Sequence, residues 1–274
     1  MERVDSASLD LDLLVVVPTH RPDNIPYLRA CLDSLVAATG FVPRWEILVV
    51  SDHPTEEHVE VLRKDYANLP IEFLNDPSLD TLAKKINHGT SRTWAKDYLW
   101  ASDDTLFGHT SIREMVRESE RSGGGAIINC DGNWEDIAVA RGQSIVGSAK
   151  ELEQETLSAL RQIGRDVWAG DAYRNVPRLI RAVRLNLYAT LVPRQVIETV
   201  GLLDENYVNG WEDADFNLRC HIAGIRPVVT LAGFVYHHGS LTVSKENTPK
   251  IDDHNERYYN EKWKDEIRRA IAYL

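Results

Sequence analysis

Short unbroken apolar runs alternate with amphipathic stretches through the first 130 residues, and few folds can accommodate that rhythm. Residues 13–17, 46–51, 71–74, 98–101 and 126–130 are rich in aliphatic and aromatic side chains and too short for buried helices, so they read as strands. Between them, residues 25–38 place Ile25, Leu28, Leu32, Leu35 and Val36 on one helical face, with Gly40 as a stop. Further helices are expected over 55–66, 79–94 and 111–122. Continuous apolar strands are buried on both faces, and strand–helix alternation gives parallel neighbours with right-handed crossovers. The expected fold is therefore α/β, with a Rossmann-like, mostly parallel central sheet covered by helices on both faces. Right-handed crossovers align the strands' carboxyl ends, and the loops after them, along one edge.

From Asp131 the rhythm breaks. One helix is expected around 149–163, a strand over 181–192, a short helix over 193–200, and a helix over 213–223 closed by Gly224. Residues 227–230 and 234–237 read as two further strands, and 252–274 as a charged helix with Trp263, Ile267, Ala270 and Ile271 as its apolar stripe. No linker separates the halves, so the expectation is a single domain with two lobes, 1–130 and 131–274.

Composition narrows the functional classes. A net charge of −11 disfavours nonspecific attraction to nucleic acid or anionic lipid. No apolar run approaches the length of a membrane span, and the acidic first twelve residues do not resemble a signal peptide. A cytoplasmic location is the expected default, with peripheral membrane attachment left open. Cys31, Cys130 and Cys220 are odd in number and widely spaced, which fits buried thiols better than disulfides or a zinc site.

Three clusters carry the candidate chemistry. Ser102, Asp103 and Asp104 follow a predicted buried strand, and adjacent carboxylates there repel unless a cation or hydrogen-bond donor compensates. Hard oxygen ligands of this kind suit Mg²⁺ or Mn²⁺, which also bind phosphates. Glu212, Asp213 and Asp215 crowd a predicted helix start behind Gly210 and Trp211. Acids in a first turn complement the helix dipole, but one cap suffices, and a carboxylate here is able to act as a general base. His237 and His238 follow a strand, on its opposite faces, beside a Gly-Ser turn.

Together these elements resemble the family 2 glycosyltransferases of the GT-A fold, over most of the chain. Val15 to Thr19 is similar to the family's opening strand and turn, with Pro18 at its end, and residues 47–52 to its second strand, whose terminal acid, here Asp52, contacts the donor base. Ala83, Lys84, Lys85, Asn87 and Gly89 resemble the A-R-N-x-G stretch, with lysines where the family often has arginine. Ser102, Asp103 and Asp104 occupy the D-x-D position, with serine in place of its first acid. Gly201, Asp204 and Glu205, followed by Glu212 and Asp213, resemble the G-x-D-E…E-D acceptor segment. His237, Gly239, Ser240 and Thr242 resemble H-x-G-S-x-T, and Lys262 with Trp263 the tail's K-W.

The resemblance implies transfer of a hexosyl or related sugar, with inversion, from a nucleotide diphosphate sugar to a hydroxyl of a glycan, lipid-linked, protein or other acceptor. Nucleic acid is not an expected partner, but stays open as an acceptor. It implies Mn²⁺ or Mg²⁺ held by Asp104 and His237, with His238 as the alternate. Pro18, Asp52, Lys85, Asn87, Ser102 and Asp103 would bind the donor, and Asp213, with Glu212 as rival, would be the base. A nucleotidyltransferase-like enzyme would want a Gly-rich loop after the first strand, where residues 17–22 hold no glycine. A noncatalytic nucleotide- or carbohydrate-binding protein would bind donor without turnover.

Overall fold

The computed structural model describes residues 11–20, 24–53, 57–132, 179–181, 185–239 and 248–265. The expected helix around 149–163 lies outside them. The first half runs β1 (Leu11–Thr19), α1 (Ile25–Thr39), β2 (Trp45–Ser51), α2 (Glu57–Asp65), β3 (Ile71–Asn75), α3 (Leu82–Arg92), β4 (Ala95–Ala101), β5 (Thr105–Phe107), α4 (Ser111–Arg121) and β6 (Ala126–Gly132). The rest runs β7 (Leu179–Arg181), β8 (Ala189–Pro193), α5 (Arg194–Val200), α6 (Glu212–Ile222), β9 (Arg226–His237) and α7 (Thr248–Lys262).

These strands form one sheet in the order β3-β2-β1-β4-β8-β6-β9-β5, with β7 also paired to β9. β1 sits between β2 and β4, in parallel register with both. Alternation along β1 splits the core in two. Leu13, Val15 and Val17 pack with Leu28, Leu32 and Leu35 of α1 and Met115 of α4, whereas Leu14 and Val16 pack with Ile86 of α3 and Phe216 and Cys220 of α6. Both faces of β1 are covered over residues 13–17, which is why that stretch is continuously apolar. α3 approaches closely: a Cβ at Gly89 would lie 2.6 Å from Val16 Cγ1. Thr81 caps this helix by accepting from the Lys84 N–H at 3.3 Å, so α3 begins at Leu82 rather than near residue 79.

The parallel half matches the expectation, and the second half adds antiparallel pairings. β3, β2, β1 and β4 run parallel, β8 runs against both β4 and β6, β6 and β9 are parallel, and β5 and β7 run against β9. Following these directions, the edge where β1, β2 and β4 end also collects the start of β8, the end of β9 and the start of β5. Thr19, Asp52, Ser102 to Asp104, Tyr188 and His237 therefore share one edge.

Three expected elements differ. The expected strand over 181–192 is represented by β7 and β8, and the backbone at 185–186, ahead of β8, bonds to side chains instead of a neighbouring strand. The Asn217 amide accepts from Leu185 N at 2.9 Å and donates to Leu185 O at 2.8 Å, and the Asn186 carbonyl accepts from Asn129 and Thr190. The pair of strands over 227–237 is a single β9, whose pairing with β6 jumps from Cys130↔Thr230 to Asp131↔Phe234. Such an irregularity re-aims a strand without ending it. The three-residue β5, too short to show a period, pairs Thr105 with His237 and so joins the acidic cluster to the histidine strand.

Candidate active site

The strand order reverses beside β1: β2 and β3 lie on one side and β4 on the other. In open α/β sheets the crevice beyond the strand ends at such a point is where ligands bind, and the buried acids gather there.

Asp103, 3% exposed, accepts from Thr19 Oγ1 at 2.7 Å and from Asn24 Nδ2 at 3.4 Å. Burial pushes its carboxyl up to about 6, and the adjacent Asp104 charge adds to the rise, against the Thr19 and Asn24 hydrogen bonds. Asp104, equally buried, lies 3.0 Å from His237 Nε2. The His237 ring stacks flat on Tyr188, with centroids 4.7 Å apart. The next residue turns away: the His238 ring meets Tyr27 and Tyr236 edge-on, while the His238 backbone N–H donates to the Asp104 carbonyl at 3.1 Å. Ser102 donates its N–H to Tyr188 O at 2.9 Å, and its carbonyl accepts from Cys31 Sγ. Pro18 lies in register with Val50, past the last β1–β4 pair, Val16↔Trp100, so its missing N–H costs no bond to β4.

A second group lies at the end of β2. The Asp52 carboxylate is 3.0 Å from Lys85 Nζ and 2.8 Å from His20 Nδ1. Burial pulls Lys85 below its ordinary value although Asp52 opposes the shift. Lys84 instead pairs with Asp80 at the surface, so only one lysine of the pair faces inward. Asn87 donates to Leu203 O and Glu205 Oε1 and accepts from Leu203 N, at 2.8–2.9 Å, which fastens α3 to the segment 203–205.

Glu212 and Asp213 open α6, one residue earlier than expected. Glu212, 3% exposed, folds back to accept from Gly210 N–H at 2.6 Å, and burial pushes its carboxyl up to about 7, with the Asp213 charge adding. Asp213 is half-buried and accepts from Ala214 N–H. The two rivals thus differ physically: one carboxyl is tucked into its own loop and the other remains partly accessible.

Sequence reasoning missed Thr19, His20, Asn24 and Tyr188. Thr19 was visible as the residue after Pro18, but nothing in the sequence reveals that these four meet Asp52, Asp103 or His237. Ser240 and Thr242 lie outside the described residues. Among the described residues no group of three His, Cys, Asp or Glu is arranged to hold a metal, and no helix is long and apolar enough to cross a membrane. Asp104 and His237 do offer a carboxylate oxygen and an imidazole nitrogen 3.0 Å apart. That donor pair fits a divalent ion completed by phosphate oxygens and water.

The chain resembles several known proteins. It is 24% identical over 252 residues to the O-antigen biosynthesis protein RfbC of Myxococcus xanthus, covering 87% of this chain and 18% of that protein. Among solved structures, residues 1–349 of S. aureus TarS match with a TM-score of 0.56 and 13% identity, over 83% of this chain and 60% of that one. The mannosyltransferase PcManGT from Pyrobaculum calidifontis, in complex with GDP-Man and Mn²⁺, matches with a TM-score of 0.60 and 13% identity, over 95% and 65%. The chain thus spans under a fifth of the curated relative and less than two thirds of these structures. At 13% identity the structures attest the GT-A glycosyltransferase fold alone. The family model described as glycosyl transferase family 2 matches residues 14–161, and with more than half of its length so matched, the chain belongs to that family.

Proposed function

We propose that this protein is an inverting glycosyltransferase that moves a sugar from a nucleotide diphosphate sugar to an acceptor hydroxyl, with Mn²⁺ or Mg²⁺ as its cofactor. The observation that carries the reading is the pair of buried carboxylates, Asp103 and Asp104, at the strand-order reversal, with His237 on Asp104. Two adjacent acids away from water are unfavourable alone and suited to a cation bridging to a diphosphate. The Mn²⁺ and GDP-Man of PcManGT, and the UDP of a TarS complex, support that chemistry by likeness of fold.

Residues 1–130 would form the donor lobe and 131–274 the acceptor lobe. When bound, the cation supplies Lewis-acid stabilisation of the charge on the departing diphosphate. Asp104 and His237 would hold it, while Thr19 and Asn24 keep Asp103 oriented. Asp52, with Lys85 and His20, would meet the nucleoside, with Ser102 and Pro18 on the same sheet edge shaping the pocket. Asn87 contributes through the segment it fastens. Asp213 takes the acceptor's hydroxyl proton as that oxygen bonds to the sugar's C1. That oxygen enters on the face opposite the C1–diphosphate bond, whose electron pair passes to the diphosphate oxygen as it breaks, so the centre inverts. Glu212 is the second candidate base, favoured by a carboxyl held near 7.

Thermal melting with UDP-glucose, UDP-galactose, UDP-N-acetylglucosamine, dTDP-rhamnose and GDP-mannose, with and without Mn²⁺ or Mg²⁺, tests the reading. A donor that binds only the folded chain raises Tm by mass action, and the rise should need metal and vanish in Asp104→Ala. Stabilisation indifferent to EDTA would refute the metal assignment. Stabilisation without sugar transfer or hydrolysis would favour a noncatalytic binding protein.

A further inference from the structure

Three side chains of α7, Asn255, Tyr258 and Lys262, bond to the loop that leads into α6 and to its flanks at Asp204 and Asp215. Asn255 is fully buried; its Oδ1 accepts from Val208 N–H at 3.1 Å, and its Nδ2 donates to Val208 O and Gly210 O at 3.0 Å. One side-chain amide thus serves the loop backbone as a neighbouring strand would. Further along α7, Lys262 Nζ lies 2.6 Å from both Asp204 and Asp215, Tyr258 donates to Asp204 at 2.9 Å, and just past the helix Trp263 Nε1 donates to Asp215 at 2.9 Å. Burial alone would raise Asp204, yet the bonds from Lys262, Asn206 and Tyr258 outweigh it and hold the carboxyl at about 2.

From the other side, the first N–H of α3, at Leu82, donates to Asn209 Oδ1 at 2.8 Å. The loop is therefore held between α3 and α7. It needs such holding. Asn209 (φ 46°) and Trp211 (φ 72°) are both left-handed, and a bulky residue keeps that conformation only where its surroundings over-determine it. The Trp211 ring packs on Tyr259 of α7, with centroids 5.3 Å apart. Glu212 and Asp213 follow at once.

We propose that α7 is a positioning strap for the acceptor side of the site, and that Asn255 is the residue that fixes the backbone at 208–210 and thereby aims Asp213. The inference rests on the glycosyl-transfer reading. Asn255 touches no reacting atom in this scheme; it acts through the loop. Its loss should misplace the base while leaving intact the donor-side acids Asp52, Asp103 and Asp104, which follow β2 and β4 and are held by Lys85, Thr19, Asn24 and His237.

The test uses the full chain, the nucleotide sugar that stabilises it most among those named above, and p-nitrophenyl glycosides as acceptors. Asn255→Ala should lower kcat about 10²-fold, the cost of a misplacement near 1 Å, with donor Kd unchanged and faster amide hydrogen exchange over residues 207–213. Lys262→Met should act in the same direction, and Lys262→Arg, whose guanidinium is able to bridge both carboxylates, should restore turnover. The Lys262 pair decides the matter if Asn255→Ala does not fold. Wild-type kcat in both disrupting variants, a donor Kd that weakens in step with kcat, or a fall in kcat without faster exchange would each overturn the proposal. A wild-type chain that binds the donor but neither transfers its sugar nor hydrolyses it sinks the glycosyl-transfer reading, and the strap's role with it, before any variant is made.

Discussion

Replacing Glu212 by glutamine should make the protein's stability less sensitive to pH, in a direction its burial dictates. The carboxyl is 3% exposed, and burial pushes it from its ordinary 4.5 up to about 7, with Asp213 beside it adding to the shift. An acid whose folded pKa lies above its unfolded value binds protons more tightly in the folded state. Its contribution is therefore fully present below pH 4.5 and is lost as the pH rises towards 7 and beyond. At about 1.4 kcal/mol per pH unit, the gap is worth about 3 kcal/mol. Glutamine keeps the length, and its amide oxygen is still able to accept the Gly210 N–H. The variant has no proton to lose, so relative to wild type it should gain about 3 kcal/mol between pH 4.5 and 8. Urea denaturation of both proteins across that range, without metal, measures the difference. A wild-type-minus-variant curve flat between those limits would show that the carboxylate is solvated or compensated, and the tucked conformation at Gly210 would be wrong.

The remaining predictions concern catalysis and packing. Asp213→Asn should lower kcat about 10²–10⁴-fold, the usual worth of a general base, with donor Kd preserved; near wild-type turnover beside a dead Glu212→Gln would transfer the role to Glu212. His237→Ala should weaken Mn²⁺-dependent donor binding in calorimetry more than His238→Ala, since the His237 ring faces Asp104 and the His238 ring faces Tyr27 and Tyr236; the reverse order would show that the wrong ring was chosen. Gly89→Ala should cost about 1–3 kcal/mol by overpacking against Val16, measured by chemical denaturation, and an unchanged midpoint would mean that α3 gives way easily.

What the sequence determined by itself was whatever repeats locally. The central residues of β1, β2 and β4 (13–17, 47–50 and 98–101) are apolar at every position because both faces are covered, and that local signal placed the strands within a residue or three. The strand-end acids Asp103 and Asp104 were legible for the same reason, since they follow a buried run, where a charge is out of place unless it serves something; Asp52 was singled out by the family resemblance. The division between lysines 84 and 85 was not legible, because one residue of helical rotation separates a surface partner, Asp80, from a buried one, Asp52. Nor was the contact of His237 with Asp104, which depends on the three-residue strand β5 and on a register jump in β9. The tail signalled an amphipathic helix and, by resemblance, the Lys262–Trp263 pair, but its burial of Asn255 against Val208 is a long-range pairing with no local trace. Local periodicity records which face of an element meets the core. Which side chains meet one another across the sheet edge is set by strand order and register, and those are decided only when the whole chain packs.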